Sequence, residues 1–157
     1  MDLIKMILLA GIFGMIMMDL LNLIFSRIGI ISKIEVFMIG RMASGWIHGR
    51  FFYNHPEEMI KVEHEVLFGY FTHILIGISL AVPFIFGWNF LIGGIPNFLG
   101  AILYGMLTTS ASWFYTYPSI GLGVFGLKSS EGFKAAFSSL VNHLFYGIGL
   151  AIGILLI

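Results

Sequence analysis

Asp19, His73 and His143 each interrupt a long apolar run, and those three residue types are the ones that move protons or bind ligands. An ionisable group in lipid costs about 2 to 3 kcal/mol or more, so it turns toward a partner or a watery cavity, and by default it marks a functional site. Imidazole changes charge near neutral pH, and a carboxylate facing it can share or pass the proton. Thr108, Thr109 and Asn142 add neutral hydrogen-bonding groups in the same apolar surroundings, while Arg41, Arg50 and Glu65 carry charge nearby in the chain. The expected site is a buried layer of Asp19, His73, His143, Thr108, Thr109 and Asn142, with Arg41, Arg50 and Glu65 at its mouth.

The elements that must hold these groups follow from composition. The chain has 157 residues, 59% hydrophobic and 10% charged, against roughly a quarter charged in a soluble domain. Too little polar surface remains to cover a core in water, so the chain reads as an all-α, polytopic membrane protein forming a single transmembrane domain, 1–157. Four apolar stretches reach the roughly 20 residues that a crossing helix needs, at about 3–25, 66–86, 95–116 and 135–157. The first is expected to be a retained span, because no small-residue cleavage pattern follows it. Turn chemistry at Gly87-Trp88-Asn89 and at Gly93-Gly94-Ile95-Pro96 separates the second from the third.

Seven of the 8 basic residues, Arg27, Lys33, Arg41, Arg50, Lys61, Lys128 and Lys134, lie in the loops 26–65 and 117–134. The positive-inside rule makes those loops cytoplasmic and both termini outward. In the longer loop, 29–45 reads as a short amphipathic segment, and Trp46, Phe51, Phe52 and Tyr53 suit a headgroup-lying surface with basic side chains reaching lipid phosphates.

Residues 73–81 (HILIGISLA) align with 143–151 (HLFYGIGLA), and 14–19 (GMIMMD) more weakly with 105–110 (GMLTTS). This suggests a tandem repeat of two helical hairpins, with the shared site between the copies. Counting helix rise from each cytoplasmic boundary puts Asp19, His73, Thr108, Thr109, Asn142 and His143 at roughly 9 to 12 Å depth. Small residues recur every fourth position around both histidines: Gly69, Gly77 and Ala81 on one span, Ala135, Ser139, Gly147 and Ala151 on the other. Such stripes let membrane helices approach closely, and Gly149-x-x-x-Gly153 offers a homodimer interface.

The preferred chemistry is small-solute or proton-linked transport through the Asp/His site. The alternative is a redox module in which His73 and His143 ligate a b-type haem, with Arg41 or Arg50 toward its propionates; the third reading is a structural membrane partner whose polar layer only joins helices. With no cysteine, thiolate metal sites, thiol catalysis and covalent haem attachment are excluded. Balanced charge gives no footprint for nucleic acid. His48, His55, Glu57, Glu58, Glu63, His64 and Glu65 match no ligand spacing, so no metal is expected there, and phosphate-loop, dinucleotide and nucleophile-elbow motifs are lacking. An enzyme is therefore disfavoured.

The chain also resembles a family of small bacterial membrane proteins grouped as domain of unknown function 2938. The likeness spans nearly the whole length and rests on Met18-Asp19-Leu20, Gly40-Arg41, Gly49-Arg50-Phe51 with His55, and Glu65-x-x-x-Gly69-x-x-x-His73-x-x-x-Gly77-Ile78. It continues in Tyr117-Pro118 with Gly121-x-Gly123 and in Ser139-Leu140-x-x-His143-x-x-x-Gly147. Where the family typically has a Pro-Asn-Pro-like stretch, this chain has 128–132 (KSSEG). The resemblance implies a bacterial cytoplasmic-membrane protein without an assigned activity and nominates the same aspartate and histidines.

Overall fold

Helix α1 (Leu3–Arg27) begins where the Asp2 carboxylate accepts from the amides of Ile4 at 3.0 Å and Lys5 at 3.5 Å, satisfying donors that have no partner inside the helix. The computed structural model describes residues 2–156; Met1 and Ile157, the ends of the expected domain and the last residue of its fourth span, lie outside them. Beyond α1 come α2 (Val36–Ile47), α3 (Glu65–Leu91), α4 (Phe98–Ala111), α5 (Tyr117–Ser119) and α6 (Phe133–Leu155), and no strand occurs among the described residues.

Three helices, α1, α3 and α6, are long and apolar enough to cross a membrane. Helix α4, in the expected third span, has 14 residues, too few at about 1.5 Å each for a hydrocarbon core of about 30 Å. It runs through a wide π turn, Ser112–Thr116, directly into α5, so the backbone stays helical over 98–119.

The expected turn at Gly87-Trp88-Asn89 does not form. Helix α3 passes through Pro83 and Gly87 to Leu91, because Trp88 packs edge-on to Phe84, centroids 5.9 Å apart, and covers Gly100 at the start of α4. Packing overrides the breaker, and the chain turns instead at Gly93 and Gly94, whose φ values of 81° and 71° suit glycine.

Packing order differs from chain order. Helix α6 lies between α1 and α4, α1 also packs on α3, and α3 carries α2 on its far side; α3 and α4, joined by a short link, keep their backbones apart and meet through side chains, Tyr104 stacked on Phe84 with ring centroids 4.7 Å apart. Close approach depends on glycine. Gly149 and Gly153 of α6 press on the α1 backbone at Phe13–Gly14 and Leu9–Ala10, and Gly105 of α4 meets Gly147 of α6. The Gly149-x-x-x-Gly153 stripe, read from sequence as a dimer face, is thus used up inside the chain, since lipid offers helices no hydrophobic drive and small residues supply the contact.

The long loop also departs from the surface-lying segment expected of it. Helix α2 runs antiparallel to the start of α3, with Gly40 against Glu65 and Gly69 against Val36. Tyr53 and Met59 join Ile39, Met42 and Ile120 in a second core, while Phe51 and Phe52 stay exposed. The aromatics therefore divide between burial and surface.

Candidate functional site

Helices α1 and α3 run antiparallel in a register fixed by Gly11 against Ile78 and Met15 against Gly77. One turn further along, that register brings Asp19 Oδ1 to 3.3 Å from His73 Nδ1. The two are close enough to pair, yet not aligned as a hydrogen bond, and the buried Nδ1 has no other partner.

His143 is held differently. Gly105 and Gly147 bring α4 and α6 close enough for Thr108 Oγ1 to lie 2.8 Å from His143 Nδ1 and 2.6 Å from the Gly105 carbonyl. A carbonyl only accepts, so the threonine proton goes to Gly105 and the imidazole Nδ1–H must donate to the threonine oxygen. This assigns the tautomer and leaves the His143 Nε2 with its lone pair.

The two pairs meet at one level. Across the α1–α6 contact, Asn22 touches Asn142 and Gly14 touches Tyr146, which places His143 within about one turn of Asp19. His73, Asn142 and His143 line one cavity of about 820 Å³, between α2 and α3 on one side and α6 on the other, with Met15, Met18 and Tyr146 in its wall. Asp19 does not line the cavity and, with its side chain 26% exposed, is not buried as the sequence led one to expect; Thr108 is buried behind His143, and Thr109 is buried without a partner.

Asn142 serves another purpose than the one its position suggested. Asn22 Nδ2 donates to Asn142 Oδ1 at 3.0 Å and to the Ser32 carbonyl at 2.9 Å, while Asn22 Oδ1 accepts from the Ile34 amide at 3.1 Å. The Ser32 amide donates to Ser138 Oγ at 2.8 Å, and Ser32 Oγ bonds to Glu131. Together these fold non-helical residues 32–35 back beside α1, where they line the cavity. Irregular backbone at such a place is tolerated only when buried in protein or facing a cavity. Sequence reasoning missed Asn22, although a polar residue three positions after Asp19 in an apolar span was a visible signal.

The mouth has other residues than those expected. Arg41 closes a two-pronged ion pair with Glu65, at 2.7 and 2.9 Å, joining α2 to α3, and that hydrogen-bonded carboxylate raises the guanidinium pKa further above its ordinary value. Arg50 lies over the Tyr53 ring, 5.1 Å from its centroid. Neither arginine nor Glu65 lines the cavity; Lys33, Glu35, Glu57, Lys128 and Glu131 do. The expected arginines are drawn away by a carboxylate and an aromatic face closer to hand.

Toward the opposite end the cavity is shut by apolar packing of Met6, Ala10, Ala81, Phe84, Ile85 and Leu150. Two tyrosines cross from the α4–α6 pair to α3: Tyr146 donates to the Gly77 carbonyl at 2.6 Å and Tyr104 to the Leu80 carbonyl at 2.7 Å. Among the described residues, no three His, Asp or Glu side chains gather as a metal site.

A family model described as protein of unknown function (DUF2938) matches residues 8–157, nearly the whole chain, and the chain belongs to that family. No curated protein and no solved structure matches it.

Proposed function

We propose that this DUF2938 member carries a small solute across a bacterial cytoplasmic membrane, coupled to protons through Asp19 and His73. The single observation behind this reading is the cavity: about 820 Å³ in volume, lined by both histidines and walled by α1, α2, α3 and α6. A pocket of that size takes a small organic molecule. Its blind end is closed by side-chain packing and two tyrosine hydrogen bonds, contacts that a rocking α3 can break and remake.

In this reading residues 98–119 form a fourth crossing, the basic loops lie in the cytoplasm and both termini face outward. The pairs α1/α3 and α4/α6 are then copies of one hairpin. Thr108 hydrogen-bonds His143 while Asp19, which aligns with Ser110, stands beside His73, so the two copies hold their histidines from different positions of the preceding helix. A proton arriving at His73 meets a carboxylate that balances its charge; solute in the cavity senses that change through the same ring. The Asp19, His73, His143 and Asn142 side chains form the working site, with Thr108 behind it and Thr109 as packing.

The test is electrical. Purified protein in vesicles on a solid-supported membrane is challenged with amino acids, sugars, organic cations and organic anions under an imposed pH gradient. At least one class should drive a current that Asp19→Asn and His73→Gln abolish in folded protein. Wild-type silence across all classes would overturn transport, and a Soret band in freshly purified protein would replace it with the b-type haem reading.

A further inference from the structure

Both histidines present the same ring atom to the same space. His73 Nδ1 is sealed beside Asp19 Oδ1, and His143 Nδ1 donates to Thr108. Each ring lines the cavity, and the atom left to face it is Nε2. An imidazole whose Nδ1 side is held by a carboxylate or hydroxyl while Nε2 stays open is the arrangement found behind metal-ligating histidines, where the outer partner fixes ring orientation and strengthens the ligand.

Two thioethers line the same cavity as these rings. Met15 sets its thioether against Gly77, one turn along α3 from His73, and Met18 precedes Asp19 on α1; both line the cavity. The chain has no cysteine, and the one carboxylate beside His73 is its outer partner Asp19. Two neutral imidazoles with thioethers suit a soft ion of single charge. The carboxylates lining the same cavity, Glu35, Glu57 and Glu131, belong to its mouth, so a divalent ion held at the two imidazoles would keep its charge without an anionic ligand, whereas thioether and imidazole together select Cu(I).

We infer that His73 and His143, with a thioether from Met15 or Met18, form a site for a soft monovalent cation, Cu(I) or its surrogate Ag(I), in the cavity between α3 and α6. This rests on the same cavity as the proposed function and names an inorganic occupant for it.

Full-length protein in detergent, kept anaerobic with ascorbate, is titrated with Cu(I) against a colorimetric Cu(I) chelator. One Cu(I) per chain is expected, with Zn(II) not retained. His73→Ala with His143→Ala should lower affinity at least a hundredfold, and Asp19→Asn or Thr108→Val roughly tenfold to a hundredfold as outer partners. Thermal unfolding reports which variants fold. Should the double variant not fold, X-ray absorption on wild-type protein replaces it, with nitrogen and sulfur expected together around copper. The inference is overturned if no stoichiometric Cu(I) binds, if folded His→Ala protein binds it equally, or if the copper shell lacks imidazole nitrogen. Solute currents without Cu(I) binding would remove this site and leave transport standing; Cu(I) binding without any current would do the reverse.

Discussion

In the pair α1/α3 the histidine of the second helix stands beside a carboxylate, 3.3 Å away and loosely oriented; in the pair α4/α6 it is bonded at 2.8 Å to a hydroxyl whose own proton is already committed. Both pairs have one direct backbone contact, Gly11 of α1 on Ile78 and Gly105 of α4 on Gly147, but Gly77, one turn from His73, meets mainly the flexible Met15 side chain. One pair fixes a tautomer, and the other holds a charge beside a compliant contact. A cavity with a compliant contact in one wall can change shape there without losing its fold, because packed glycine contacts resist deformation far more than a rotatable thioether does.

The comparison breaks most easily at its glycines. In Gly105→Val the first added carbon would lie 2.5 Å from the Gly147 Cα and 2.6 Å from the His143 carbonyl oxygen, atoms that cannot swing aside. The expected loss is about 3 kcal/mol or more, seen as a large drop in melting temperature and separation of α4 from α6. Gly77→Ala meets mainly the Met15 thioether, which has rotamers to spare, so the expected loss is about 1 kcal/mol or less. Equal losses at the two positions would remove the distinction between the stiff Gly105 contact and the compliant Gly77 one.

Asn22→Leu comes next. Leucine has similar size but leaves the Ser32 carbonyl, the Ile34 amide and the Asn142 side chain without their partner. Buried groups so orphaned cost about 1 to 3 kcal/mol each before water reaches them, and about 3 kcal/mol in all is expected. Limited proteolysis should then cut within 28–35 while sparing the α4–α6 pair. That second pair has its own tie, the Trp113 indole donating to the Ala136 carbonyl at 3.1 Å.

Residue type and spacing revealed much of this. Apolar length located α1, α3 and α6 within a few residues, and the four-residue spacing of Gly69, His73 and Gly77 foretold a face of close approach. Such patterns report what a residue cannot tolerate, lipid against a charge or bulk against a neighbour, and that constraint is local. Partner choice is not local. Arg41 takes Glu65 and leaves the cavity mouth, and Asn142 takes Asn22 and not a histidine, because either pairing depends on how helices far apart in the chain are ordered in space. The helix through Gly87 was hidden for the same reason, since Trp88 needs Phe84 and Gly100 to make the breaker harmless. The folded-back segment 32–35 has no periodicity at all, and its place is set by side chains from α1 and α6.

The finest test compares the two histidine partners directly. Thr108→Val keeps the shape and removes the oxygen that accepts from His143, so a buried N–H loses its partner and stability should fall by about 1 to 3 kcal/mol. Thr108→Ser returns the oxygen and should recover most of it. Asp19→Asn keeps shape and polarity, and because the carboxylate is not aligned as a hydrogen bond to His73, thermal stability at neutral pH should change by only about 0.5 kcal/mol. What Asn cannot supply is the negative charge opposite an imidazolium. Asp19→Asn should therefore flatten the pH dependence of any solute-driven current while leaving the melting curve nearly in place, and Thr108→Val should shift the melting curve while leaving the pH dependence. If the two variants exchange these effects, the roles of the two histidines have been assigned the wrong way round.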